Sequence, residues 1–212
     1  MSTEERVNHP LFARFYIRAS SARKLPEEDA HRRALVVGLS GRVIEVGAGN
    51  GLNFPFYPLT VERVLAVEPE PVLRAAAIEA AAEQSVPITV VEGVAGRLPA
   101  GDGSFDAGVA SLMLCSVPDQ ESALAEFHRV IRPGGELRFY EHVIAERPAV
   151  VRLQRLADAT VWPRVAGGCH LSRDTGGAIA RAGFVVERSE WFLFSPGGIP
   201  RLPHILGVAR RP

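Results

Sequence analysis

The segment Val43-Ile44-Glu45-Val46-Gly47-Ala48-Gly49-Asn50-Gly51 constrains the fold more than any other part of the chain. It reads as a buried strand that breaks into a glycine-rich turn. Glycine has no Cβ, so such a turn lets a ligand approach the backbone closely. About 20 residues later, the spacing expected of the next strand's acid, Arg63-Val64-Leu65-Ala66-Val67-Glu68-Pro69 is a second apolar run that ends in a carboxylate. An acid at that place can accept both hydroxyls of a ribose. The two features together predict a site for an adenosine-containing cofactor at the carboxyl ends of parallel strands.

The rest of the chain supports an α/β fold. An aromatic, amphipathic start at Leu11–Ile17 and a segment Glu27–Val37 read as helices, the second with Pro26 in its first turn. Strands are expected at Arg42–Val46, Val64–Glu68, Ile88–Glu92, Phe105–Leu112 and Glu136–Val143. Between them fall a short helix after Gly51, an alanine-rich helix over Glu70–Glu83, and a helix capped by Asp119 that runs to Ile131, stopped by Pro133-Gly134-Gly135. Two more helices (Ala149–Val161, Thr175–Ala182) and two strand candidates (Phe184–Phe192, His204–Arg210) follow. Alternating strands and helices give a doubly wound, mostly parallel sheet of seven strands. The short connection near the end implies an antiparallel strand at the sheet edge. With 212 residues the chain reads as one domain: residues 1–40 a helical cap, 41–143 the cofactor-binding core, 144–212 a substrate-side segment with closing strands.

Lys and Arg (24) balance Asp and Glu (24), so overall charge points to no nucleic-acid partner. The basic pairs Arg23-Lys24 and Arg32-Arg33 read as solvated faces. Cys115 and Cys169, the two cysteines, form no CxxC pair or disulfide framework, as fits a reducing cytoplasm. Met1–His9 is too polar for a signal peptide, and no apolar run reaches membrane-spanning length. An Ala/Arg/Gly-rich composition fits a bacterium of high genomic GC content. Pro196-Gly197-Gly198-Ile199-Pro200 reads as a rigid exposed loop.

The glycines also discriminate between cofactors. Their spacing, Glu45-x-Gly47-x-Gly49-x-Gly51, departs from the G-x-G-x-x-G of dinucleotide sites. A carboxylate at Glu45 suits a cationic ligand and sits badly beside a pyrophosphate. This pattern resembles motif I of the class I S-adenosylmethionine-dependent methyltransferases. Leu98-Pro99, Ser104-Phe105-Asp106 and Val130-Ile131-Arg132-Pro133-Gly134-Gly135 resemble that superfamily's later motifs. Asn53-Phe54, Tyr57-Pro58, Leu114-Cys115-Ser116-Val117, Glu141-His142-Val143 and Gly168-Cys169-His170-Leu171 resemble a narrower methyltransferase-like subfamily. It includes membrane-associated animal enzymes that methylate small thiols and soluble bacterial relatives, some named for phospholipid N-methylation. The hydrophobic N-terminal anchor of the animal members has no counterpart here, so membrane residence does not carry over; peripheral contact stays open, as does oligomeric state.

The resemblance implies S-adenosylmethionine as cofactor and S-adenosylhomocysteine as product. It places Gly47, Ala48, Gly49 and Gly51 under the methionine moiety and Glu45 near its amino group, or else as a buried acid capping backbone amides. Asn53 touches the methionine carboxylate or caps the following helix. Glu68 takes the ribose and Pro69 packs near the adenine. Family members often carry an acid where this chain has Gly96, so Val94 and Ala95 are left to hold the adenine edge. Leu112 lies near the reactive end. Cys115 is there a substrate contact or a small buried hydrophobe. His142 ends the fifth strand as a candidate base for a thiol or amine, or as a structural histidine at the sheet edge. Tyr16 and Phe15, with Trp162 and His170, could roof an acceptor pocket. His142, Cys169 and His170 have no zinc-ligand spacing, and no metal is expected.

The expected activity is methyl transfer to a small or lipophilic acceptor, with thiol ahead of amine (a phospholipid headgroup included) and hydroxyl. Two alternatives stay open. One is a non-catalytic module that binds the nucleoside; the other is an NAD-dependent oxidoreductase, against which the glycine spacing counts.

Overall fold

The computed structural model describes residues 10–22, 25–195 and 200–212. Two helices, α1 (Pro10–Ala22) and α2 (Pro26–Val36), precede β1 (Gly41–Val46), β2 (Val61–Val67), α3 (Pro71–Ala82), β3 (Ile88–Val91), β4 (Phe105–Ser111), α4 (Gln120–Val130) and β5 (Ile131–His142). Then come α5 (Pro148–Asp158), α6 (Trp162–Val165), α7 (Thr175–Arg181), β6 (Val185–Phe194) and β7 (Leu202–Arg210). The seven strands form one sheet in the order β3-β2-β1-β4-β5-β7-β6. β1 to β5 pair in parallel, and β7 runs antiparallel to both β5 and β6. The chain winds outward from β1 to β3, then returns to β4 on the other side of β1. The crevice at that reversal is where open α/β sheets bind ligands.

Helix starts follow the sequence signals. Glu70 accepts a hydrogen bond from the Leu73 amide, Asp119 from Ser122 and Asp174 from Gly177. Three local expectations are corrected. After Gly51 the chain makes only a 3-10 turn at Phe54–Phe56; Pro55 and Pro58 prevent a longer helix, and α2 covers that face of the sheet instead, with Leu35 and Val36 in its core. The α4 helix ends at Val130 and β5 begins at once, so Pro133-Gly134-Gly135 form an irregular strand start, with a register shift opposite Phe105–Ala107. Arg32 is no solvated residue: it is buried beneath the first strand's turn. The calls on Met1–His9, Arg23-Lys24 and residues 196–199 of the Pro-Gly loop lie outside the described residues.

Strand side chains alternate between two cores, as the pleat requires. Ile44 and Val46 face a cluster with Leu124 and Phe127 of α4; Val43 faces Leu35, Phe54 and Tyr57 on the other side. The β6 edge is mostly exposed.

One buried carboxylate ties the sheet to the loop that follows β4. Glu141, fully buried in β5, accepts hydrogen bonds from the amides of Met113 (3.0 Å), Leu114 (2.9 Å) and Cys115 (3.0 Å). Burial pushes its pKa well up, and the three amide donors oppose that shift. Leu112, just before them, has φ 55°, a strained value for a non-glycine residue, and its amide donates to the Tyr140 carbonyl at 2.7 Å. Replacing Glu141 by alanine leaves three buried donors without an acceptor and should cost about 3 kcal/mol. Glu141→Gln keeps one amide oxygen for two of them and should cost less. Urea unfolding midpoints of the two variants check this order.

Candidate active site

Gly47, Gly49 and Gly51 all have positive φ (69°, 58° and 81°), a region that favours glycine. Gly47 has a second reason: a Cβ there would lie 2.7 Å from the Met113 Cβ. The Gly47 and Ala48 amides donate to the Val67 carbonyl, which anchors the turn to β2. A Cβ on Gly49 would face only the Tyr16 ring, 3.9 Å away, so α1 lies over the middle of the turn.

Glu68 lies against this turn. Its Oε2 accepts the Gly49 amide at 2.7 Å and its Oε1 the Glu70 amide at 2.9 Å. Each carboxylate oxygen keeps a second lone pair, which suits a vicinal diol. Burial raises the Glu68 pKa to about 7, against the two amides that lower it. Pro69 is half-buried beside it, and its carbonyl accepts from Arg74.

Glu45 caps no backbone amide among the described residues. It is buried, and its carboxylate accepts from Asn53 Nδ2 and from the Tyr57 hydroxyl, both at 2.7 Å. It therefore orders side chains rather than capping backbone amides. Asn53 makes no cap hydrogen bond to the turn that follows; its Oδ1 instead accepts from Arg32 Nη1 at 2.9 Å. Arg32 also binds Glu28 and reaches Ser111 Oγ at 3.5 Å. A buried guanidinium between the glycine turn and the end of β4 is fit to meet a carboxylate. Tyr57 and Arg32 were missed from the sequence. Glu45 and Asn53 flagged the place, but the partner from α2 carries no motif.

Tyr16 stands over Gly49, stacked on Phe12 with ring centroids 5.9 Å apart. Phe15 is 67% exposed. Val94 is exposed, and its carbonyl accepts the Arg97 amide in a turn; Ala95 packs on the α4-side core. A Cβ at Gly96 would meet only Ser122, at 3.6 Å.

The acceptor-side residues converge more closely than their spacing in the chain foretells. His142 Nδ1 lies 3.3 Å from Cys169 Sγ and 3.8 Å from Cys115 Sγ, and the two sulfurs are 3.7 Å apart. β5 lies between β4 and β7, and His142, past the end of β4, pairs with His204 of β7. Cys115 and Cys169 are buried and form a small cluster with Leu171, against which Trp162 packs. His170 stands beside this group without joining it: its Nδ1 contacts the Gly168 carbonyl at 2.8 Å, and its amide donates to the Cys115 carbonyl. Phe12 of α1 lies against Gly167, so α1 and the α6 segment adjoin.

The glycine turn and Glu68 thus lie on one side of the β4 loop, and the Cys115–His142–Cys169 cluster on the other. Residues 44–139 match the family described as a methyltransferase domain. The thiol S-methyltransferase TMT1B of Mus musculus is 35% identical over 211 residues, 92% of this chain and 84% of that protein. The chain belongs to the class I S-adenosylmethionine-dependent methyltransferases. The human thiol S-methyltransferase TMT1A is 38% identical over 81% of the chain and 72% of its own length. Phosphatidylethanolamine N-methyltransferase of Cereibacter sphaeroides is 30% identical over 68% of the chain and 72% of its length. Among solved structures, geranyl diphosphate methyltransferase in complex with S-adenosylmethionine superposes with TM-score 0.68 at 14% identity, covering 88% of this chain and 85% of that one. The [4+2]-cyclase SpnF does so with TM-score 0.69 at 22% identity, over 87% and 81%. These two likenesses show the fold.

The methyltransferase site makes a pH prediction. Ribose hydroxyls donate to an ionised carboxylate and so favour the charged form of Glu68. Below pH 7 the proton on Glu68 must leave before the diol binds. Affinity for S-adenosylhomocysteine should therefore rise toward about tenfold per pH unit up to pH 7 and level off above it. Glu68→Gln should bind weakly with a flat profile. Titration calorimetry from pH 5 to pH 8.5 reads both.

Proposed function

We propose that this methyltransferase transfers the methyl group of S-adenosylmethionine to the sulfur of a small or lipophilic thiol and releases S-adenosylhomocysteine. The observation that carries the thiol reading is the identity with thiol S-methyltransferases over nearly the whole chain. The buried thiol–imidazole group on the acceptor side supports it.

Bound at this site, S-adenosylmethionine supplies a methyl group on a sulfonium that is already a good leaving group. The chain's contribution is then positioning and exclusion of water. Glu68 holds the ribose. Gly47, Ala48, Gly49 and Gly51 pass beneath the methionine moiety, and Glu45 fixes Asn53 so that Asn53 and Arg32 face its carboxylate. Pro69, Val94 and Ala95 border the adenine. Leu112 lies at the reactive end, Tyr16 closes the cradle, and Cys115, Trp162 and His170 bound the acceptor. His142 serves the loss of the acceptor's proton.

A lipophilic acceptor is supported by the exposed apolar side chains around this roof. Leu11 and Phe15 of α1, Leu153 and Leu156 of α5, and Val161 and Val165 at α6 are all at least 60% exposed. No described helix is long and apolar enough to cross a membrane, and the two reduced cysteines support a cytoplasmic setting with peripheral contact to lipid. The relative from Cereibacter sphaeroides and the same apolar surface support a second reading, an amine on a phospholipid headgroup.

An acceptor panel tests this. Alkyl and aryl thiols should release S-adenosylhomocysteine at least tenfold faster than matched amines or alcohols, and longer alkyl chains should lower KM. Faster turnover of an amine lipid would move the assignment to N-methylation. Cofactor binding without turnover of any class would leave a nucleoside-binding module.

A further inference from the structure

Two thiols and an imidazole from three separate segments meet at one point beside the cradle. Cys115 comes from the loop after β4, His142 from the end of β5, and Cys169 from the turn that follows α6. Their ligand atoms all lie within 4.8 Å of one another. The edges of this triangle can be compared with those of a metal tetrahedron. Zn–S bonds of about 2.3 Å and Zn–N bonds of about 2.0–2.1 Å give edges of about 3.8 Å between sulfurs and about 3.5–3.6 Å between sulfur and nitrogen. The structure has 3.7 Å between the sulfurs, and 3.3 Å and 3.8 Å from sulfur to nitrogen. A single ion therefore fits with shifts of a few tenths of an ångström.

The surroundings hold the three ligands in place. The amide of His170 donates to the Cys115 carbonyl at 2.8 Å, and a Cβ on Gly168 would come within 2.8 Å of the Ser116 carbonyl oxygen. The turn that carries Cys169 is thus pressed onto the loop that carries Cys115. Gln154 and Asp158 of α5 bind the backbone at Val143, Leu171 and Ser172, on either side of the ligands. The indole nitrogen of Trp162 is buried with no hydrogen-bond partner of ordinary geometry and lies beside this cluster, a donor suited to a thiolate. Glu141 stands directly behind Cys115. Two thiolates next to that buried carboxylate are costly alone and balanced by a divalent cation.

We propose that Cys115, His142 and Cys169 form a three-ligand zinc site whose fourth position takes the sulfur of the acceptor thiol. The fourth position rests on the thiol reading above; the metal site does not. Three protein ligands with one open position is the arrangement of zinc sites that act on a bound substrate, while closed structural sites have four. Two cysteine protons leave when the ion binds. The acceptor's thiol proton passes to solvent as its sulfur joins the zinc. The sulfur lone pair then forms the new S–CH3 bond as the sulfonium–methyl bond breaks, which yields the methyl thioether and neutral S-adenosylhomocysteine. His142 thereby serves the loss of the acceptor's proton as a ligand, through the ion it holds.

The test starts from protein stripped with a chelator and kept reduced with a phosphine. Metal analysis after addition of zinc should give one zinc per chain in the wild type and a loss of at least tenfold in affinity in Cys169→Ser and His142→Ala. Near-ultraviolet circular dichroism shows whether those variants remain folded. Cobalt in place of zinc should give a tetrahedral visible spectrum with thiolate charge-transfer absorption, and benzyl mercaptan should intensify that absorption. Wild-type protein that is folded, reduced and competent for S-adenosylhomocysteine, yet retains no zinc, overturns the site. Zinc bound through Cys169 with thiol methylation unchanged after its removal overturns the fourth-position role. Zinc bound with no thiol methylated supports the metal site and overturns the thiol reading instead.

Discussion

The grip of the Glu141 carboxylate on three successive amides is the interaction on which both halves of the site depend. A parallel strand that ends at Ser111 would release its loop to solvent. Here the neighbouring strand supplies an acceptor for Met113, Leu114 and Cys115. Leu112 is thereby held at positive φ. Met113 is held against Gly47, under the cofactor turn, while Cys115 is turned toward His142 and Cys169. One buried carboxyl group thus fixes Met113 beneath the glycine turn relative to Cys115 beside His142. The three amide donors oppose the burial that raises its pKa without cancelling it.

The N-terminal helices complete what the sheet begins. Because the β1–β2 connection is too short and too rich in proline to make a full helix, α2 covers that face and delivers Arg32 to Asn53 and Glu45. Helix α1 lays Tyr16 over Gly49 and Phe12 against Gly167. The same helix therefore borders the cofactor cradle and the acceptor roof.

The parts of this architecture that were legible in the sequence are those set by local chemistry. The turn at Gly47–Gly51 requires positive φ, Glu68 follows at the distance of one crossover, and Asp119 marks its helix. Strand and helix order followed from periodicity, and so did the doubly wound sheet. What was not legible depends on long-range packing. Arg32 looks like any helical surface arginine until α2 is folded over β1. Cys115 and Cys169 stand 54 residues apart, and no ligand spacing announces that three segments will place their sulfurs beside His142. Asn53 occupies a helix-capping position in the sequence, yet its side chain turns inward because the Oδ1 that would accept a backbone amide takes the Arg32 guanidinium instead, while its Nδ2 donates to Glu45.

The central claim is that the glycine turn and Glu68 together hold the adenosyl cofactor. Calorimetric titration of S-adenosylhomocysteine into the wild type and Glu68→Ala at pH 8 tests it most directly. The expected result is one saturable site in the wild type and affinity weaker by about tenfold or more in the variant, the worth of hydrogen bonds to a charged acceptor. Equal affinity in the two proteins, or no binding by the folded wild type, would contradict the account.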